Sequence, residues 1–381
     1  MSKGGHFLAQ QPKKKTKTWV VVVAVILAVI LLLGALAAWF VVSKMNKINR
    51  ANRGDNQLSA EDIGKYMIEA TTAPTEATTV PTTEATTAPT EETKPDYGKL
   101  GKIVNFLLIG QDARPGEDSK NSDTVLLVSV NKETKKITMI SFLRDSFVVI
   151  PKVYDTYGNE HSGQTKLTLA YAMGYKWGGD LGAMEIMDQV VERNFGAVVD
   201  YNVEINLDAF DAIINAVGYI TADLDEDEAA YMNEKFKDYP DRNFKVGENR
   251  LDGWAAEEYA RMRHSSNADN DYKRTARQRT VVSQVLERVK GMNVMQINAL
   301  VDELLDKVLT DMTNSDITTC ITELLPLLPE MTMDSLQCPN ADMDLSGKLI
   351  DLFKDGSPEQ SIQTFTESKA KAIITAITED D

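Results

Sequence analysis

The chain has 381 residues and a formal net charge of −16, enough length for one large or two ordinary domains with a well-buried core. Three histidines and two cysteines leave little material for His-based nucleophilic catalysis, and the cysteines match no zinc-site pattern. Neither a Gly-rich phosphate loop of the Walker kind nor a GxSxG elbow occurs, and no nucleic-acid partner is expected.

Trp19 to Val42 carries no charged residue, and these 24 residues suffice at helical rise to cross a bilayer. Trp19 and Trp39 stand near its ends, where amphipathic rings favour the interface. Ala35, Ala37 and Ala38 would suit a cleaved signal peptide, but the stretch exceeds a usual signal h-region, so an uncleaved anchor is the reading. Lys13, Lys14, Lys15 and Lys17 cluster more tightly before the span than Lys44, Lys47, Arg50 and Arg53 do after it. The positive-inside rule then places residues 1–18 in the cytoplasm and the large C-terminal part outside a single-pass cell membrane protein.

Residues 43–96 read as a linker. Ile63 to Glu69 is mildly amphipathic and predicts a short helix, while Ala70 to Pro95 is a Thr/Pro/Glu repeat. Such a repeat buries too little surface to offset its ordering entropy and predicts an extended, disordered stalk. The ectodomain begins near Tyr97.

Phe106–Ile109, Thr124–Val130 and Ile137–Phe142 are apolar runs that predict buried strands. The short polar connection Asn131–Lys136 makes the second and third a hairpin. If the first two are antiparallel as well, Asp112, Asp123 and Arg144 meet at a common sheet edge. Further on, Gly182–Phe195 shows helical spacing and Val199, Tyr201, Val203 and Ile205 alternate as in a strand. Asp208 is placed to cap a helix that ends at Gly218. Interleaving of this kind predicts an α/β fold, with layers of helix over a mixed central sheet. Residues 293–381 read as chiefly helical. Cys320 and Cys338 could pair outside the cytoplasm, but their spacing does not decide it.

Tyr259 to Arg279 carries Arg261, Arg263, Lys273, Arg274, Arg277 and Arg279 in an otherwise acidic chain. Guanidinium forks match phosphate oxygens, so the cluster suggests a phosphorylated ligand, against the plainer reading of a solvated helix face. Leu251–Met262 predicts a helix. Arg261 and Arg263 would point about 200° apart on a continuous helix, so joint contact requires a break there. A second helix beginning near Asp271 would put Arg274, Arg277 and Gln278 on one face and leave Arg279 as a surface charge. Carboxylates without His or Cys ligands, beside a phosphorylated substrate, suit magnesium.

The blocks NFLLIGQDAR, SDTVLLVSVNKETKKITMISFLRDS, KLTLAYAMG, YARMR and DYKRTARQR together resemble the LytR-CpsA-Psr family of cell-wall enzymes over roughly Lys102 to Val289. The resemblance implies a three-layer α/β/α sandwich (residues 97–292) with an apolar pocket for a polyprenyl chain. It also implies magnesium-dependent transfer of a glycopolymer from a polyprenyl-pyrophosphate carrier to peptidoglycan through a new phosphodiester. By position, Asp112 and Asp123 would hold the metal, and Arg144, Arg261, Arg263, Arg274 and Gln278 would contact the pyrophosphate. Asp112 would also be a candidate for assisting deprotonation, and Arg114 for an electrostatic role. Two departures stand out. Asn121 occupies the place of an arginine before Ser-Asp-Thr, and the usual Ile-Pro-Arg-Asp-Thr block reads Phe142-Leu143-Arg144-Asp145-Ser146. A hydrolase of lipid pyrophosphates and a non-catalytic wall-binding module are the competing readings.

Overall fold

The computed structural model describes residues 49–51, 68–69, 100–111, 120–154, 160–262, 268–304, 307–353 and 358–379. All of them fall in the compact unit Ile48–Asp381. The membrane span expected at 19–42 and the stalk expected over the Thr/Pro/Glu repeat lie outside the described residues, and among those no helix is long and apolar enough to cross a membrane.

Two short strands, β1 (Asn49–Arg50) and β2 (Ile68–Glu69), precede the main fold. Next come β3 (Ile103–Gln111), β4 (Ser122–Asn131), β5 (Lys136–Phe142), β6 (Phe147–Tyr154), β7 (Glu160–Lys166) and the long α1 (Leu167–Phe195). After β8 (Tyr201–Ile205) the chain alternates α2 (Leu207–Ala216), β9 (Ile220–Leu224), α3 (Glu226–Lys235), β10 (Gly247–Leu251) and α4 (Gly253–Arg261). Helices α5 (Ala268–Lys290) and α6 (Val294–Leu304) follow. The remainder is β11 (Val308–Thr310), α7 (Asn314–Leu324), β12 (Thr332–Cys338), β13 (Ser346–Ile350), β14 (Gln360–Thr364) and α8 (Glu367–Thr378).

Seven strands form the central sheet in the order β1-β11-β8-β3-β4-β5-β12. It is mixed: β3 runs antiparallel to β4 and β4 to β5, while β8 joins β3 and β12 joins β5 in parallel. Both faces of its centre are dry, which is why β3–β5 read as continuous apolar runs rather than alternating ones. Leu107, Ile109, Val125, Leu127, Ile140 and Phe142 point into a core with α1 and α8. The intervening Leu108, Leu126, Val128 and Met139 pack against Val282 and Leu286 of α5. Each fully buried aliphatic side chain there contributes about 1.5–3 kcal/mol over leaving it in water.

Several expectations are corrected. The helical reading of residues 293–381 holds for α6, α7 and α8 but misses four strands, two of which complete the central sheet. Strand β11 is only three residues long and β12 is a half-exposed edge strand, so their apolar signal is weak. Ile68 and Glu69, expected at the end of a helix, pair with Gln164 and Gly163 of β7. The cap of α2 is Asn206, whose side chain accepts from the Ala209 backbone N–H at 2.8 Å; Asp208 sits in the first turn instead and there favours the positive helix end. Cys320 and Cys338 are both free. Cys338 is buried on the α1 side of the sheet and Cys320 packs on the other.

One buried polar pair predicts a pH response. Tyr171 on α1 donates its hydroxyl to the Glu204 carboxylate on β8, with both residues almost wholly buried. Burial raises the Glu204 carboxyl above its usual range, outweighing the lowering by Tyr171 and Lys120. A raised folded value means that the protonated form is favoured in the fold. Its stabilisation is complete below the ordinary glutamate range and is lost as pH rises towards the folded value. Glu204→Gln keeps an acceptor for Tyr171 and should flatten that decline, read as a denaturation midpoint higher than native at pH 8 but not at pH 4.

Candidate functional site

A cavity of about 390 Å³ opens where β3 and β8 end and β4 begins; α2, α4 and α5 supply its other walls. Strand polarity places the charges. Pairing of Gly110 with Thr124 and of Val125 with Phe142 brings the start of β4 and the end of β5 to one sheet edge. There Arg144 Nη1 donates to Asp123 Oδ1, and its Nε lies 3.9 Å from Asp145 Oδ2. The Arg144 carbonyl accepts from the Thr168 N–H at 2.9 Å, tying this turn to the start of α1. The guanidinium is therefore held both by its carboxylates and through its backbone.

Arg261 is the last residue of α4, and Met262 leaves the helix with φ −52° and ψ 130°. The break that the sequence required is present. Arg261 Nη1 donates to Glu257 Oε1 at 2.7 Å, one turn back. Arg274 on α5 is almost wholly buried and donates through Nη2 to the Asp123 carbonyl at 3.4 Å. Gln278 follows one turn later. Asp123, Arg144, Arg261, Arg274 and Gln278, drawn from four segments, thus line the same cavity. Asp112, Arg114 and Arg263 lie outside the described residues.

Two arginines of the run do something else. Arg277 does not join Arg274 and Gln278. Its Nε donates to Glu228 Oε1 at 2.7 Å, and its Nη1 donates to the Met262 carbonyl at 2.8 Å. At 100° per residue it is turned away from Gln278 by a quarter of the helix circumference and faces α3 and α4. Arg279 is not a plain surface charge either. It is half-buried, its Nη1 has no hydrogen-bond partner, and burial lowers its basicity.

The rest of the lining was not singled out in the sequence. Leu108, Leu126, Phe210 and Val282 make an apolar wall, while Gln111, Thr124, Asn206 and Glu257 add polar groups. Glu257 had a visible signal, since it stands four residues before Arg261 on a helix. Gln111 is buried, and its Nε2 has no partner among the described residues. The described lining holds three arginines against Asp123 and Glu257, a surplus of one positive charge. Among the described residues no group of three or more His, Cys, Asp or Glu converges.

Gly110 lies opposite Thr124 in the β3–β4 ladder, next to a register shift at Gln111. A Cβ built on it would lie 2.8 Å from the Thr124 Cβ, closer than side chains approach one another. Gly110→Ala should push Thr124 into the cavity mouth. We expect a loss of about 1–3 kcal/mol in urea unfolding, with weaker ligand binding measured by calorimetry.

A mixed α/β fold that sets arginines and a carboxylate at one end of an apolar cavity defines a class of protein suited to an anion with an apolar portion. The model of the LytR_cpsA_psr family matches residues 68–367, and the chain belongs to that family. The polyisoprenyl-teichoic acid–peptidoglycan teichoic acid transferase TagU of Oceanobacillus iheyensis is 31% identical over 220 residues, covering 58% of this chain and 62% of that protein. The biofilm regulatory protein A of Streptococcus mutans is 32% identical over 215 residues, covering 53% and 50%. The match therefore spans less than two thirds of either relative. A crystal structure of a Streptococcus agalactiae protein superimposes with a TM-score of 0.57 at 26% identity, covering 74% of this chain and 89% of that one.

Proposed function

We propose that the protein is a membrane-anchored transferase that moves a glycopolymer from a polyprenyl-pyrophosphate carrier to peptidoglycan. The observation that carries this reading is the meeting of Asp123, Arg144, Arg261, Arg274 and Gln278 around one cavity with an apolar wall. Its TagU relative, named for that kind of transfer, supports it. In this reading Trp19–Val42 anchors the chain, the N-terminus is cytoplasmic and the site works outside the membrane.

The arginines would bind the two phosphates, and the apolar wall would take the first part of the lipid. A peptidoglycan hydroxyl attacks the sugar-linked phosphorus. The bond from that phosphorus to the bridging oxygen breaks, the lipid phosphate leaves and the hydroxyl proton passes to solvent. The protein's task is then to position the pyrophosphate and to spread the charge that grows on the leaving phosphate, with little covalent work of its own. Arg144, fixed between Asp123 and Asp145, is preorganised for this.

The all-oxygen donor set, with Asp123 at the cavity edge and Asp112 directly after Gln111, fits a hard cation such as magnesium. When bound, that ion would neutralise part of the pyrophosphate charge. Purified full-length protein, incubated with lipid-pyrophosphate-linked glycan, magnesium and peptidoglycan oligomers, should yield the joined product by mass spectrometry. Free phosphorylated glycan alone would make it a hydrolase. Binding without turnover would make it a non-catalytic module.

A further inference from the structure

Arg144, Arg193, Arg242, Arg261 and Arg277 each close on a carboxylate, as expected in a chain of net charge −16. Arg250 on β10 and Arg288 near the end of α5 do not. Both turn onto the ring of Tyr219, with guanidinium carbons 4.5 Å and 3.7 Å from its centroid. Neither makes an ion pair among the described residues. The two distances bound the separation of these cations at about 8 Å, no more than the screening length at physiological salt, so they repel each other. The nearby Glu287 is engaged by Lys290 at 2.8 Å.

The group is built on rigid parts. Arg250 lies opposite Thr221 in the β9–β10 hairpin, and Thr221 Oγ1 donates to Gln284 Oε1 of α5 at 2.6 Å. That bond fastens the hairpin to the helix that carries Arg288. Two guanidiniums held together without a counter-charge, and facing an aromatic ring, present donors for an anion to bridge.

We propose that Tyr219, Arg250 and Arg288 form a second anion site, which holds a phosphate of the glycopolymer at a distance from the cavity. Arg288 follows Arg274 by 14 residues on α5, about 21 Å at helical rise. One lipid pyrophosphate does not span that length, whereas an extended polymer does. The identity of the ligand rests on the transfer reading above. The new content is the site itself: a basic pair on Tyr219, outside the cavity, that takes an anionic group of the polymer.

The test measures binding by the full chain in detergent, without turnover, using soluble poly(glycerol phosphate) and neutral dextran as probes. Arg250→Gln/Arg288→Gln should weaken polymer binding roughly tenfold at low salt, the scale of one or two charge-assisted contacts. The slope of log affinity against log salt should become shallower by about 0.7, the contribution of one phosphate contact on a flexible polyanion. Dextran binding and the thermal midpoint should not change. Absent or unaltered polymer binding would overturn the proposal, as would an equal loss on dextran. A loss confined to phosphatidylglycerol vesicles would also overturn it and mark a membrane contact. An inactive chain whose polymer binding still needs these arginines sinks the transfer reading alone. An active chain whose polymer binding ignores them sinks this site alone.

Discussion

Arg144→Ala is expected to lower transfer turnover about a thousandfold, the scale of removing a preorganised donor from a developing phosphate charge. Arg144 joins the sheet edge to the cavity. It bonds Asp123 on one side and faces Asp145 on the other, and its backbone is fixed by Thr168. Its pair with Asp123 is about a quarter exposed on both sides, so loss of the ion pair alone should cost at most about 1 kcal/mol of stability. Turnover and unfolding midpoint therefore separate the roles. Arg144→Lys keeps the charge but not the planar fork, and should recover only a small part of the rate. Full activity in the alanine variant would remove Arg144 from the site.

Arg277→Ala should behave in the opposite manner, with a large loss of stability and a small direct effect on the cavity. The Arg277 side chain is 3% exposed and its partner Glu228 is 11% exposed. Glu228 also serves as the reciprocal member of the capping box that starts α3, accepting from the Asp225 backbone N–H at 3.1 Å. Removing the guanidinium strands a buried carboxylate and leaves the Met262 carbonyl without its donor. Breaking such a pair costs about 3–5 kcal/mol, which urea unfolding would read directly. Arg277→Met with Glu228→Gln should recover much of that loss, because no uncompensated charge remains. A single alanine variant as stable as the native chain would contradict this assignment.

The sheet centre was legible because it is dry on both faces, so the apolar runs at Phe106, Thr124 and Ile137 could not be mistaken for loops. Hairpin polarity then brought Asp123 and Arg144 together from sequence alone. The helix break after Arg261 was legible from rotation, since two arginines two residues apart cannot face one ligand on an unbroken helix. Other features depended on tertiary contacts. Arg277 could be told from Arg274 only by the presence of Glu228, 49 residues earlier in the chain. Strand β12 has a half-exposed pattern and gains its place from the parallel pairing of Met333 through Cys338 with β5. The apolar wall was invisible as a wall, because Leu108, Phe210 and Val282 carry the same signal as any core residue.

In the proposed transfer, the cavity passes the sugar-linked phosphorus to peptidoglycan. The most direct measurement uses carrier-linked glycan with an isotopic label on that phosphorus, followed by isolation of peptidoglycan after reaction with the full-length protein. The label should appear in peptidoglycan as a phosphodiester, and should fail to do so with Arg144→Ala or Arg274→Ala. Label that remained with the lipid, or was released to solution as glycan phosphate, would contradict transfer to peptidoglycan.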